Sequence, residues 1–483
     1  MAKKTTFNLE NLSALGVERL ARLVVDASAR DAGFKKYVAA ALASANGPEA
    51  IGALIDQRLD ALERARSFVE WDRARTFASD LSMTVHAIVD ELGPAEPALA
   101  IERLLRFIAT HSGVFERIDD SQGRVQDIYE TAVDALGLLV TAMSESERLR
   151  LPDVIMAKLG EETHGYLPMV VSAVAQSLPP EALVRWDSEL GAKQARRPTG
   201  KRENVDWTFD PRSFAVIACR QAIAEARSDL DGFVALEQMK HPNLQNASDI
   251  AERMLASGRT REALEWVRRA APHRRGFVSN AELSDGGQMQ DLTSIQRVSL
   301  EARILETLGD RRAAQALRWA SFEATLDIGI LREHVVRLED FAEFEVLDRA
   351  FDHVSSAKAS YSALMFFIGW PRLDRAGKLV VDRRNTWDGR RYEVLVPAAE
   401  ALEHTQPAAA TILYRALLTD ILSRAKSAAY THAARYLTRL DDLAAYTDAA
   451  AIPDISTHAT FKAEIAKAHG RKSAFWAHVR GDG

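Results

Sequence analysis

Adjacent aspartates in a glycine turn, RIDDSQGR, are the carboxylates best placed for cation chemistry. Asp119 and Asp120 precede Gly123, and oxygen ligands from a loop are what a hard cation takes. The further acidic positions of a calcium loop are missing, so the competing reading is a turn and a helix cap. A second pattern, RARSFVEWDRAR, interleaves Arg64, Arg66, Arg73 and Arg75 with Phe68, Trp71 and Phe77. On a nucleic-acid binder that mixture means phosphate contacts plus stacking. Glu63, Glu70 and Asp72 dilute its charge, which favours aromatic core residues flanked by solvated, paired charges. A third pattern, THAARYL, sets His432, Arg435 and Tyr436 near one helix face, and HGRKSAFWAHV adds His469, Arg471, Lys472 and Trp476. Together these make a basic, aromatic C-terminal surface suited to a partner's carboxylate or phosphate. The alternative is a closing helix whose Phe475 and Trp476 seal the end of the fold.

Recognised catalytic signatures are missing. The twelve histidines form no HExxH pair, Gly369 to Gly377-Lys378 has the wrong spacing for a phosphate loop, and neither GxSxG nor GxGxxG after a strand occurs. Glu161-Glu162-Thr163-His164-Gly165 holds acid and base types without a nucleophile and reads as an ordinary loop. Cys219, the single cysteine, lies in the apolar run FAVIAC and is expected as a small buried thiol. No catalytic residue, cofactor or metal ligand is assigned, and an enzyme with a loop-borne acidic site at Asp119 and Asp120 is the least favoured reading.

The elements that must position these residues follow from size and periodicity. At 483 residues, with 47% hydrophobic and 27% charged residues, the chain is too long for one ordinary core and has the composition of a folded soluble protein. Its 62 Lys plus Arg nearly balance 68 Asp plus Glu, for a net charge of -6, so nucleic acid would need a local basic patch. MAKKTTFNLENLSALG turns polar where a signal peptide needs its apolar region. Runs such as ALGLLVTAM fall short of the roughly 18 apolar residues of a membrane span. A cytoplasmic protein with no membrane association is expected.

Apolar residues recur at three and four through the N-terminal part, as in Leu20, Leu23, Val24 and Leu54, Ile55, Leu59, Leu62, which is the helical period. Gly47-Pro48, Gly93-Pro94 and Leu178-Pro179-Pro180 punctuate it. The segment GAKQARRPTGKREN loses the pattern and gathers Lys193, Arg196, Arg197, Lys201 and Arg202. The expected organisation is an N-terminal helical array over 1–190, a basic linker over 191–210 and a C-terminal helical array over 211–483.

Within the latter, Ala251, Met254, Gly258 and Ala263 share their spacing with Ala302, Leu305, Gly309 and Ala314, 51 residues on. A glycine ends one helix, Thr260 or Asp310 caps the next, and the alanines let two helices approach. A degraded copy follows as Ala399, Leu402, Gln406 and Thr411. The spacing resembles that of tetratricopeptide repeats, whose period is about 34 residues, with the excess in GFVSNAELSDGGQMQ (276–290). The fold class expected is all-α, a divergent helical-hairpin array of the tetratricopeptide or HEAT kind. In GKLVVDRRNTWDGRRYEVLVP (377–397), the runs LVV and YEVLV around Asp388-Gly389 admit one small β-hairpin near 378–396, or two helix ends flanking a loop.

RLDALERARSFVEWDRARTFASDL (58–81), FERIDDSQGRV (115–125) and the run from WDGRRYEVLVPAAEALE through YTHAARYLTRLDDLA to HGRKSAFWAHV resemble a bacterial family of all-helical proteins known only as a domain of unknown function. The C-terminal part is also similar to the tail of some proteins that begin with a SWIM-type zinc finger, whose cysteines this chain lacks. The resemblance implies a bacterial cytoplasmic protein and one architecture from end to end, and no activity. The expected function is a helical-repeat scaffold or adaptor that holds a protein or peptide partner in its C-terminal half, with a nucleic-acid-associated accessory protein as the alternative.

Overall fold

The computed structural model describes residues 7–160, 165–195, 211–269, 292–339, 342–450 and 452–480. The chain divides into two compact units, 1–246 and 247–483. The first contains α1 (Leu9–Ser13), α2 (Val17–Arg30), α3 (Ala32–Ala45), α4 (Pro48–Arg64), α5 (Trp71–His86), α6 (Pro97–Ala109), α7 (His111–Phe115), α8 (Arg124–Thr141), α9 (Glu145–Leu159), α10 (Tyr166–Ala175), α11 (Pro180–Ala195), α12 (Pro211–Ala226) and α13 (Leu230–Gln238). The second contains α14 (Ala247–Ala256), α15 (Thr260–Val267), α16 (Leu292–Thr307), α17 (Arg311–Thr325), α18 (Ile328–Val335), α19 (Ala342–Ser356) and α20 (Ser360–Gly369). It continues with α21 (Leu373–Asp382), α22 (Tyr392–Leu402), α23 (Pro407–Ser423), α24 (Tyr430–Ala450), α25 (His458–His469) and α26 (Ser473–Arg480). The described residues contain no strand; a single parallel bridge joins Val69 and Ile118.

Two of the three proline signals start helices: Pro48 opens α4 and Pro180 opens α11, whereas Pro94 lies in a turn and α6 begins at Pro97. A proline in the first turn loses no intrahelical bond, because its missing N–H has no partner there. Neighbouring helices bury facing apolar stripes: Ile55 and Leu59 of α4 with Ile101, Leu104 and Leu105 of α6 in the first unit, and Leu413, Leu417 and Leu418 of α23 with Ala433, Leu437 and Leu440 of α24 in the second.

The repeat spacing has a structural counterpart. Gly258 and Gly309 adopt φ of +80° and +87°, the left-handed backbone that favours glycine after a helix. Ala251, Ala263, Ala302 and Ala314 are fully buried. Asp310 caps α17 by accepting from Ala313 N at 2.9 Å. Thr260 does not cap: it is the first residue of α15, and its hydroxyl donates to Gly258 O at 3.5 Å. In the degraded copy Ala399 and Leu402 are buried, Gln406 stands at the start of α23, and Thr411 meets Thr447 across 2.7 Å.

The β-hairpin near 378–396 is not formed. LVV closes α21 and YEVLV opens α22, because Ala376, Leu379 and Val380, then Leu395, Ala398, Ala399 and Leu402, fall at helical spacing on faces that pack into one core. Tertiary burial overrides the β preference of the valines. Between the helices, Trp387 Nε1 donates to Val380 O at 3.1 Å and Asp388 accepts from Arg390 N at 2.9 Å.

The first unit extends beyond the basic segment. Helix α12 packs on α10 and α11, and its Cys219 and Ile223 join the first core, Cys219 being buried as expected. The compact units part after Asn246, whose N–H donates to Glu237 at 2.7 Å. Residues 196–204 of the basic segment, the loop 276–290 and Glu161 to His164 lie outside the described residues. Among the described residues, no helix is long and apolar enough to cross a membrane.

Candidate functional site

Asp119 and Asp120 serve the turn before α8. Asp120 accepts from Val125 N at 3.0 and 3.1 Å and from Gln126 N at 2.9 Å, and Asp119 accepts from Ser121 N at 3.0 Å. Gly123 holds φ +69° at the helix start, so Asp120 supplies the cap that a glycine lacks. Among the described residues, no cluster of three or more His, Cys, Asp or Glu is set to hold a metal ion.

The C-terminal candidates divide by burial. His432, Arg435 and Arg471 are exposed, His469, Lys472 and Trp476 half-buried, and Tyr436 buried. Helix α24 packs against both α25 and α26, which brings the two motifs to one end of the second unit. Phe475 is fully buried with its ring 6.0 Å from that of Tyr430, and Tyr436 lies 5.5 Å from Tyr414, whereas Tyr446 of α24 is exposed. Trp476 Nε1 donates to His469 O at 3.1 Å. Burial, then the ammonium of Lys472, push the His469 imidazole below its usual range, so it is neutral at pH 7. Anion capture would fall to Arg435, Arg471 and Lys472. Nearby, Asp441 joins His458 Nε2 and Lys462 Nζ, each at 2.7 Å.

The arginine–aromatic motif departs most from expectation. Phe77 is partly buried in the first core, but Phe68 and Trp71, expected as core residues, are 58% and 83% exposed. The loop between α4 and α5 is held from below by Arg117, a buried residue that sequence reasoning passed over. Val69 N donates to Arg117 O at 2.8 Å, Arg117 Nη1 donates to Ser67 O at 3.4 Å, and its guanidinium sits 4.9 Å from the Phe77 ring centre. Burial holds the Arg117 pKa below its ordinary value.

Carboxylates beside this loop are already engaged. Arg106 binds Glu63 at 2.7 Å, Arg103 binds Asp56 at 2.7 Å, and Asp60 serves Arg106 and Arg64. Hydrogen bonds from Arg106 hold Asp60 and Glu63 below the usual carboxylate range. Arg66 turns to the backbone oxygens of Glu63 and Ala65. Arg73 and Arg75 are exposed and enter no ion pair among the described residues. The loop and the start of α5 therefore display two aromatic faces, Phe68 and Trp71, and two free guanidiniums.

A second overlooked arginine lies in the other unit. Arg318 is 0% exposed. It donates to Glu306 at 2.7 Å, and Glu333 lies at 3.4 Å; Glu306 also takes Arg337 at 2.9 Å. Burial alone would raise the Glu306 pKa, but the bond and charge of Arg318, then Arg337, hold it below the carboxylate range. The signal was present in sequence: Ala314, Arg318 and Phe322 fall at i, i+4 and i+8 on one stripe of α17, which places a cation on an apolar face.

Fold and side-chain chemistry together define a class: an all-helical repeat array in two units that displays arginine and aromatic groups at the α4–α5 turn and the start of α5. The family model described as the family of unknown function DUF6880 matches residues 2–478, and the chain belongs to that family. No curated protein and no solved structure matches it.

Proposed function

We propose that this protein is a cytoplasmic helical-repeat scaffold that holds a protein or peptide partner, and that the loop between α4 and α5, with the start of α5, is its principal contact. The observation that carries this reading is the exposure of Phe68 and Trp71 on a segment fixed from beneath by Arg117. Buried aromatic anchors dominate protein interfaces, and a loop already held in place costs little ordering entropy on binding. Arg73 and Arg75 add charge for a carboxylate of the partner. The C-terminal surface is the secondary contact: Tyr436 and Phe475 are packed inward, leaving His432, Arg435, Arg471 and Lys472 as polar contacts.

Affinity capture with the full chain, with and without nuclease, tests the reading when each captured protein is then purified and titrated against the chain. A direct complex that survives nuclease, weakens about tenfold or more in the Phe68→Ser, Trp71→Ser double variant, and persists in the His432→Ala, Arg435→Ala, Arg471→Ala, Lys472→Ala variant supports it. The reverse pattern moves the contact to the C-terminal surface. Unpaired arginines beside exposed rings also favour a second reading, in which the loop stacks on single-stranded nucleic acid. That reading requires affinity falling steeply with salt, and no binding to mixed-sequence oligonucleotides at low salt would remove it.

A further inference from the structure

Helix α2 is amphipathic and yet contains no buried residue. It packs on α3; Leu20, Val24 and Ser28 are half-buried, while Val17, Ala21 and Val25 are exposed. Val17 and Val25 are 84% and 67% exposed. These three recur at i, i+4 and i+8, so they form one stripe along the helix, on the flank of the half-buried row. Glu18 and Arg22, also four apart, run beside the stripe. Neither enters an ion pair among the described residues, and both border, with Leu15, Val17 and Arg19, a shallow hollow at the start of the helix. On α1, Leu9 and the preceding Phe7 add exposed apolar surface.

The stripe reads the same in both directions about Ala21. Two copies of α2 laid antiparallel about that residue set Val17 against Val25 of the second copy on both sides, with the small Ala21 side chains meeting at the axis. With a rise of about 1.5 Å per residue, Glu18 of one copy then lies about 3 Å along the axis from Arg22 of the other, and the two-fold axis repeats the pair. An isologous contact needs one patch that complements itself in shape and charge. Val17, Glu18, Ala21, Arg22 and Val25 form such a patch.

We propose that the protein self-associates through α2, in a two-fold antiparallel helix pair centred on Ala21. The contact is separate from the partner-binding loop and does not depend on that reading. Its core is small, so the dimer is a weak one, with a dissociation constant in the range of about 1–100 µM.

Sedimentation of the full chain over a concentration series, with circular dichroism to verify folding, tests the proposal. Val25→Glu is expected to raise the dissociation constant about tenfold or more. Glu18→Arg alone and Arg22→Glu alone are expected to weaken the dimer, and the Glu18→Arg, Arg22→Glu double variant to restore it to within about threefold. A chain that remains monomeric at about 100 µM overturns the proposal and leaves the stripe to a helix of another protein. A dimer indifferent to Val25→Glu, or one that the double reversal fails to restore, overturns it equally.

Discussion

At the C-terminal end of the second unit, Phe475 is fully buried, Trp476 is half-covered with its indole N–H satisfied, and the outward positions of α25 and α26 are polar or small. At the N-terminal end of the first unit, Phe7, Leu9, Val17 and Val25 all lie largely in solvent. The uncovered side of a terminal repeat is ordinarily polar. Helices α25 and α26 follow that pattern, with Phe475 turned inward. Helices α1 and α2 leave apolar residues in solvent. The same contrast recurs inside the units: Arg318 is consumed by carboxylates, while Arg117 supports the loop that carries Phe68 outward and leads into Trp71 at the start of α5. Burial in the second unit serves stability, and in the first it also serves display.

The largest expected effect is at the closed end. Phe475→Ala should destabilise the second unit by about 3–5 kcal/mol, read as a lower urea midpoint with hydrogen exchange accelerated in α24 to α26. A loss below about 1 kcal/mol would mean that α26 does not seal the core. Arg318→Ala comes next, at about 3 kcal/mol, because it leaves partly buried glutamates without their cation. The pH dependence has a defined sign. Glu306 is held below its usual value of about 4.3, so the stability it contributes with Arg318 is present above that value and is lost as pH falls through its lowered one. The deficit of the variant against the native chain should therefore narrow in acid, and a deficit independent of pH would separate Arg318 from Glu306.

Much of the fold was legible because it rests on local rules. Proline starts at Pro48 and Pro180, glycines at Gly258 and Gly309, and alanines at helix contacts each carry their own steric reason. The valines of 379–381 and 394–396 were ambiguous between period two and a helix end until long-range packing decided them. The basic segment looked like a boundary because its composition breaks there, yet the apolar face of α12 attaches to helices before it. Tyr436 and Trp71 show the limit for sites. Both are aromatic residues among arginines, yet Tyr436 is buried against Tyr414 while Trp71 is 83% exposed, and neither neighbour relation shows in the local sequence.

Asp120→Ala should cost about 1 kcal/mol, the worth of a helix cap, measured as a shift in urea midpoint. It tests whether the aspartate pair is structural, since a bound divalent cation would instead make the loss depend on chelator. The smallest effect on stability is expected where the effect on function is largest. Phe68→Ser with Trp71→Ser removes two exposed rings that contribute little to the core, so stability should change by no more than about 0.5 kcal/mol, while partner affinity falls. Arg117→Leu separates display from contact: it keeps both rings but removes the bond to Ser67 O. If the held loop matters, Arg117→Leu weakens binding with faster hydrogen exchange at Val69, whose N–H now bonds to Arg117 O. If binding is unchanged while that exchange accelerates, the rings alone suffice, and the contrast between the two units reduces to which aromatic residues happen to face solvent.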